Sequence, residues 1–403
     1  MVRSARKPLF AVGLSLTAAL LAACGSVSGT PVAGEIDVRE LEVGTYLTDK
    51  YTYKLTTGTS GALLEGFRMS EAVAPTVAVD PSLIFGRGGR ATVDAADATE
   101  SGLAAVSEPV LLRNNLLTAF TASGSDKIEL PGQPDPVGAT TVTTMLLRFA
   151  DAKTAKTAAR ELEDADFGVA PDQNRKLSLS QYPDAYIHWR PGIATIGAFL
   201  PHEEFVVSLF IERPTAEEKD LLEWVRKSLA AQVPVLDKFE PTPQSGFSNL
   251  KVDPDGLLAR VAVRDRDEFA PDPREFNVYG ATKLVHDANN QSNVRKAVQD
   301  SGAQAAAQAD TGAAIRTRDE AGAKLLLDAL VADESDHYET LTAPKDVPGA
   351  RCVRLNGQGD PSSEYKNRCY VNYKSYVGVV SSDDEADVRQ KIAAQYALFA
   401  NSL

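Results

Sequence analysis

From residue 146 onward, the spacing of apolar positions sorts the chain into alternating strand-like and helix-like runs. Leu146-Leu147-Arg148-Phe149-Ala150 has the apolar density of a strand and ends at Asp151. The Asp151 carboxylate suits a helix N-cap, because it accepts from backbone N–H groups that lack intrahelical partners, and a helix is predicted over 152–164. Residues 185–190, 193–200 and 205–211 read as successive strands, separated by Pro191-Gly192 and by the polar turn 201–204. Thr215 and Glu218 have the spacing of a capping box. Leu221, Leu222, Val225 and Leu229 then fall on one side of a helix.

The same succession returns later. Residues 314–319 read as a strand ending in a capping acid, and 320–331 as a helix. Residues 352–355 and 369–380 read as a hairpin. Ser382 and Glu385 repeat the capping-box spacing, and Val388, Ile392, Tyr396 and Phe399 form the last amphipathic face. At an offset of 168, Arg148 matches Arg316, Asp151 matches Asp319, Ala155 matches Ala323, Lys156 matches Lys324 and Leu162 matches Leu330. Strand, helix, hairpin, helix, occurring twice, predicts the α+β class: two related domains, each an antiparallel sheet with helices packed on one face, of ferredoxin-like type.

The N-terminus follows another logic. Arg3, Arg6 and Lys7 precede an apolar stretch over 9–22, which ends in Leu21-Ala22-Ala23-Cys24-Gly25. The stretch is shorter than the roughly 20 residues that span a bilayer, and it has the layout of a secretory signal. Small residues before a cysteine form a lipobox: cleavage between Ala23 and Cys24 leaves a thiol that accepts a diacylglyceryl group. Residues 1–23 are therefore expected to be a signal peptide. Residues 24–59 are expected to be a lipidated cysteine and flexible tether, 60–240 an N-terminal domain, 241–252 a Pro- and Ser-bearing linker, and 253–403 a C-terminal domain. The protein is expected outside the cell, anchored through Cys24 to the outer face of the cytoplasmic membrane.

Of the 403 residues, 43% are hydrophobic and 24% charged, ordinary values for a globular protein. The net charge is −13, and removal of the three basic residues of the signal makes it −16. That charge opposes nucleic-acid binding, which needs a basic footprint. Of three cysteines, Cys24 serves the lipid. Cys352 and Cys369 remain as an even pair in an exported protein, which points to a disulfide. A metal pair would need two further ligands, and His188, His202, His286 and His337 show no ligand spacing near either cysteine.

Catalytic patterns are weak. Ser363-Glu364-Tyr365-Lys366 fits Ser-x-x-Lys but lacks its companion motifs. His202-Glu203-Glu204 lacks the second histidine of a zinc hydrolase, and Gly86-Arg87-Gly88-Gly89-Arg90 lacks the ending of a phosphate loop and reads as a flexible loop. Asp253-Pro254-Asp255-Gly256 and the acids around Arg266 read as solvated turns rather than calcium loops. One face stands out: Tyr186, His188 and Arg190 alternate with Ile187 and Trp189, so they project together from a strand. Tyr370 and Tyr376, with Asn372 and Lys374 between them, are expected to do the same. Such polar aromatic faces suit contacts with a ligand, a glycan or a protein.

The stretches Leu64-Glu65-Gly66-Phe67-Arg68-Met69, Asp253-Pro254-Asp255-Gly256-Leu257-Leu258-Ala259-Arg260, Cys369-Tyr370-Val371-Asn372-Tyr373 and Gln390-Lys391-Ile392-Ala393-Ala394-Gln395-Tyr396 resemble a known family. They are similar to the actinobacterial two-domain lipoproteins of unknown function found in mycobacteria, nocardiae and rhodococci. The likeness runs over roughly 45–402. It implies an envelope location and a lipid on Cys24, and it brings no activity or catalytic residues with it. The Cys-Tyr-Val hairpin and the final helix also resemble extracellular sensor modules of actinobacterial membrane kinases. The expectation is a non-enzymatic envelope lipoprotein that meets the membrane through its lipid and binds an envelope protein, glycan or lipid, without nucleic acid, metal or cofactor. The alternatives are a carrier of a hydrophobic molecule and, more remotely, a hydrolase using His188 or His202 as base.

Overall fold

In the computed structural model, residues 36–56, 58–128, 136–266 and 271–403 are described. The first sheet contains β1 (Phe85–Thr92), β2 (Thr118–Ser125), β3 (Thr141–Arg148), β4 (Arg175–Leu179), β5 (Tyr182–Trp189), β6 (Thr195–His202) and β7 (Phe205–Glu212), in the order β1-β2-β3-β7-β6-β5-β4. The second contains β8 (Phe276–Gly280), β9 (Ala305–Ala309), β10 (Gly312–Arg316), β11 (Tyr338–Leu341), β12 (Arg351–Leu355), β13 (Asn367–Tyr373) and β14 (Tyr376–Ser382), in the order β8-β9-β10-β14-β13-β12-β11. Every neighbouring pair is antiparallel. The two sheets are wound identically, so the chain is an internal duplication of one α+β unit.

The helices repeat as well. The N-terminal half has α1 (Gly61–Arg68), α2 (Thr76–Val79), α3 (Ala95–Glu100), α4 (Glu108–Arg113), α5 (Ala152–Phe167) and α6 (Glu218–Leu236). The C-terminal half has α7 (Thr282–His286), α8 (Gln291–Ser301), α9 (Glu320–Asp333) and α10 (Glu385–Ser402). As expected from sequence, Asp151 caps α5 through Thr154 N at 2.7 Å, and Asp319 caps α9 through Gly322 N at 2.8 Å. At the end of each half one buried glutamine grips the same backbone step. Gln232 of α6 donates to Ala72 O and accepts from Ala74 N. Gln395 of α10 donates to Arg260 O and accepts from Ala262 N.

Helices cover both faces of each sheet, not one face as expected. Ala155, Ala158 and Leu162 of α5 pack with Met145, Leu147 and Val206. Arg148 points the other way, because successive strand residues alternate, and it meets Glu65 of α1. Leu326 and Leu327 of α9 pack with Ile315 and Val377, while α10 lies on the opposite face. Gly378 makes that approach possible: a Cβ there would lie 2.5 Å from the Gln395 side chain and 3.1 Å from Phe399. The capping boxes also shift. Glu217, without a side-chain cap, precedes α6, and Asp384, not Ser382, caps α10.

Residues from Val38 to Leu403 form one compact unit. Much of the segment expected as tether is built into it. Leu41, Tyr46 and Tyr53 are buried. Tyr46 donates to Asp387 at 2.8 Å, Leu47 N to Val263 O at 2.9 Å, and Asn401 to Thr48 O at 2.7 Å. The chain thus straps across its C-terminal half before building its N-terminal one. Segment 241–252, expected as a linker, forms a turn over Gln244–Asn249 with Phe247 buried, and Thr242 N donates to Glu65 at 2.9 Å. At the junction of the halves, Tyr279 lies against Phe67 and Phe120, with ring centroids 4.9 and 6.3 Å apart. Gly86 N donates to Ala288 O and Gln291 N to Ile84 O.

Candidate functional site

The second sheet carries a cleft whose floor comes from two small-residue strands. Strands β9 and β10 are built from Ala305-Ala306-Ala307-Gln308-Ala309 and Gly312-Ala313-Ala314-Ile315-Arg316. Alanine has low strand propensity, so their extended form is imposed by neighbouring strands. The consequence is a sunken floor. One cross-strand row runs Asn277, Gln308, Ala313, Val379, Tyr370. A cleft of about 200 Å³ lies on this row, walled by Tyr279, Leu284, Leu330 and Glu334. It shares Gln308, Ala313, Arg368 and Val379 with a larger neighbouring depression of about 570 Å³.

One end of the cleft is charged. Arg368 forms an ion pair with Glu334 from the end of α9, and its guanidinium lies 5.1 Å from the Tyr338 ring centroid. Burial pushes the Glu334 carboxyl up despite Arg368. Burial opposes the Arg368 charge, yet Tyr370 and Glu334 outweigh it and raise that group. Burial also raises the Tyr370 phenol and pushes Tyr338 up to about 12. Two buried atoms around the cleft have no hydrogen-bond partner among the described residues: Arg368 Nε and Asn277 Oδ1.

The sequence-predicted faces are arranged differently. Tyr186 and His188 lie beneath α5 rather than on an open face. Tyr186 packs on the core there, and His188 sits 3.6 Å from both Glu163 and Asp166. Arg190 donates to Asn174 at 3.2 Å. His188 and Arg190 do reach the wall of a shallow depression of about 270 Å³. Tyr370 and Tyr376 do not share a face, because the strand expected over 369–380 folds back at Lys374, whose φ is +48°. Tyr370 points toward α9, and Tyr376 lies with Phe399 of α10, at 5.8 Å between ring centroids. Cys352 and Cys369 form a disulfide across β12 and β13, with Cα atoms 4.1 Å apart. Ala23 and Cys24 lie outside the described residues.

The weaker motifs resolve as structure. Gly86–Arg90 is not a loop but part of β1, with a bulge between Gly86 and Gly89. Its arginines face a groove of about 530 Å³ with Thr121, Ser123 and Thr143. Asp253 accepts from Leu258 N and Ala259 N at 3.0 and 2.9 Å. Ser363 donates to Asp360 at 2.9 Å, and His202, at the end of β6, lies 2.8 Å from Asp237 at the end of α6. Among the described residues, no three His, Cys, Asp or Glu side chains are grouped to hold a metal, and no helix is long and apolar enough to cross a membrane. An apolar pocket of about 270 Å³ lies where the halves meet, lined by Leu64, Phe67, Val252, Pro254 and Val278. The cleft residues Asn277, Gln308, Ala313, Glu334 and Arg368 escaped sequence reading. Their one signal was the alanine-rich run over 303–314, too poor in β-branched residues to predict a strand.

No curated protein is significantly similar to this chain. Among solved structures, the extracellular domain of PknH from Mycobacterium tuberculosis aligns at 12% identity over 42% of this chain and 95% of that one. Its TM-score of 0.30 is too low to bear on fold or role. Two family profiles match in succession. The N-terminal part of the domain of unknown function DUF7373 matches residues 52–252, and the C-terminal part matches residues 257–402. The chain carries both parts, in order, across most of its length, and belongs to the DUF7373 family.

Proposed function

We propose that this protein is a non-enzymatic binding protein of the cell envelope, held outside the membrane by a lipid on Cys24, and that the cleft of its C-terminal half receives the ligand. The observation that carries this reading is the pair of buried polar atoms at that cleft, Arg368 Nε and Asn277 Oδ1, without partners among the described residues. A buried donor or acceptor left unpaired is costly, and a ligand that pairs both removes that cost. The signal-like N-terminus and the lipobox support the location.

Native mass spectrometry of the protein taken from its own envelope tests the reading. A co-purifying mass that denaturation releases is expected. Steady turnover of a substrate, abolished by one side-chain change, would overturn it. Cys24→Ala is expected to move the protein to the soluble fraction with its fold intact, and persistence in the membrane would remove the anchor from the proposal.

A second reading has its own observation. The apolar pocket between Leu64, Phe67, Val252 and Val278 suits an alkyl or aromatic group and favours a carrier of a hydrophobic molecule. A released mass that fragments as a lipid would select it.

A further inference from the structure

The cleft is bipolar. At one end Arg368 engages Glu334 through Nη1 and Tyr338 through its guanidinium face, while its Nε–H has no acceptor. At the other end Asn277 is only 3% exposed. Its Nδ2 donates to Asp272 O at 3.2 Å, which fixes the amide orientation and leaves Oδ1 as an acceptor without a donor. Between the ends the floor is Gln308, Ala313 and Val379. The Lys283–Asp287 pair borders the cleft on the Asn277 side, away from Arg368.

The dimensions follow from the sheet. The row from Asn277 to Tyr370 crosses four strand spacings, about 19 Å at ~4.8 Å each. The Asn277 and Arg368 side chains take up part of that span, and a gap on the order of 10 Å is left for an occupant that meets both. A cavity of ~150 Å³ accommodates benzene, so a cleft of this size takes a somewhat larger, elongated molecule. The preferred acceptor for a guanidinium edge is a carboxylate. The preferred partner for an amide oxygen is an N–H donor, an ammonium or an amide. The floor admits small side chains and excludes large ones.

We propose that the cleft binds a short peptide of two or three small residues with a free C-terminal carboxylate, which pairs with Arg368 while the amino end pairs with Asn277. An extended residue covers ~3.3–3.6 Å, so two or three residues fill the gap. A purely apolar occupant leaves both polar atoms unpaired. A simple anion reaches only the Arg368 end. This assignment rests on the reading of the cleft as the ligand site.

Calorimetric titration of the exported Cys24→Ala protein, otherwise full length, with trialanine tests it. Trialanine is expected to bind, and its C-terminal amide and its N-acetyl form are each expected to bind at least tenfold more weakly. Arg368→Gln is expected to remove the preference for acid over amide. Ala313→Leu fills the floor without removing a polar group, and is expected to abolish binding at an unchanged melting temperature. Equal affinity for trialanine and its amide, or binding that survives Ala313→Leu, overturns the peptide. If trialanine fails but Ala313→Leu removes a different co-purifying mass, the peptide falls and the cleft stands as a binding site. If no co-purifying mass responds to Ala313→Leu, both fall.

Discussion

Arg148 and Arg316 close the third strand of their sheets and pair with the first residue of the seventh, Phe205 and Tyr376. Their surroundings are opposite. The Arg148 side chain is 4% exposed and meets Glu65, which is fully buried, at 2.8 Å, with Glu204 at 3.2 Å and Thr242 O at 2.8 Å. Arg316 is 27% exposed and meets Asp255, 45% exposed, at 2.9 Å. The cause is the crossover over Gln244–Asn249, which packs on α1 and brings Phe247 within 5.4 Å of the Arg148 guanidinium. The repeat kept the arginine, and the covering segment made it structural in one half. The two halves therefore differ less in fold than in what closes over the same strand ends.

Substitution separates the two sites. Removing one partner of a buried ion pair costs up to about 3–5 kcal/mol when the other is left charged and alone, and less at Glu65, which keeps Arg68 at 2.6 Å and Thr242 N at 2.9 Å, whereas an exposed pair contributes about 0–1 kcal/mol. Arg148→Met is expected to destabilise by the larger amount and Arg316→Met by the smaller, read as midpoints of urea unfolding. Equal losses would break the comparison, because they would mean that the crossover does not bury Arg148 in solution.

The disulfide gives a second contrast. Matching the seventh strands by their paired arginines puts Val380 opposite Leu209 of the other repeat. Cys369 then corresponds to Ala198, and Cys352 to Ile187. Where the C-terminal half has a covalent rung, the N-terminal half has an apolar pair, buried on both sides. A bridge between residues 17 apart contributes about 3 kcal/mol in the chain-entropy model. Cys352→Ile with Cys369→Ala copies the N-terminal rung. It is expected to lose most of that stabilisation while keeping the hairpin packed, so its loss should be smaller than that of a Cys352→Ser/Cys369→Ser pair. A double serine variant as stable as the isoleucine–alanine one would show that the buried apolar rung contributes nothing beyond the bridge.

Legibility in the sequence followed period and propensity. Helices α5, α6, α9 and α10 and the strands β5–β7 and β12 were readable because their apolar residues recur at 3.6 or 2.0, whereas β13 and β14 were read as one strand over 369–380. Strands β1 and β9 were not, because runs such as Gly86-Arg87-Gly88-Gly89-Arg90 and Ala305-Ala306-Ala307 carry no strand preference of their own and are extended only by their neighbours in the ladder. The disulfide was readable from cysteine number alone. The faces were misread at Tyr370 and Tyr376 because one residue at positive φ, Lys374, reverses the chain and no glycine marks it. The cleft stayed hidden because its polar groups come from β8, the end of α9 and β13, segments that only the strand order brings to one surface. The paired glutamines Gln232 and Gln395 were equally hidden, since they lie 163 residues apart rather than 168.

The last contrast is between the halves and their junction. His286 is fully buried where α7 meets the first half, and its Nε2 donates to Ser70 O at 3.3 Å while Nδ1 has no partner among the described residues. Burial holds its imidazole down to about 4, with Lys283 adding to the shift and Asp287 opposing it. The unfolded chain takes up this proton near the ordinary value of 6.5, and the folded chain takes it up only near 4. The resulting stability is fully present above pH 6.5 and is lost as the pH falls toward 4. Between pH 7 and pH 5 the loss from this one group is about 2 kcal/mol. His286→Gln does not titrate, so the difference in unfolding free energy between wild type and variant should shrink by that amount across the interval. Because His286 touches the first half through Ser70 and Phe120, acid is expected to loosen the junction before either sheet. Hydrogen exchange at pH 5 should therefore rise first at residues 84–90 and 282–291. Exchange that rises first at the strands around the disulfide would place the weak point inside a half rather than between the two.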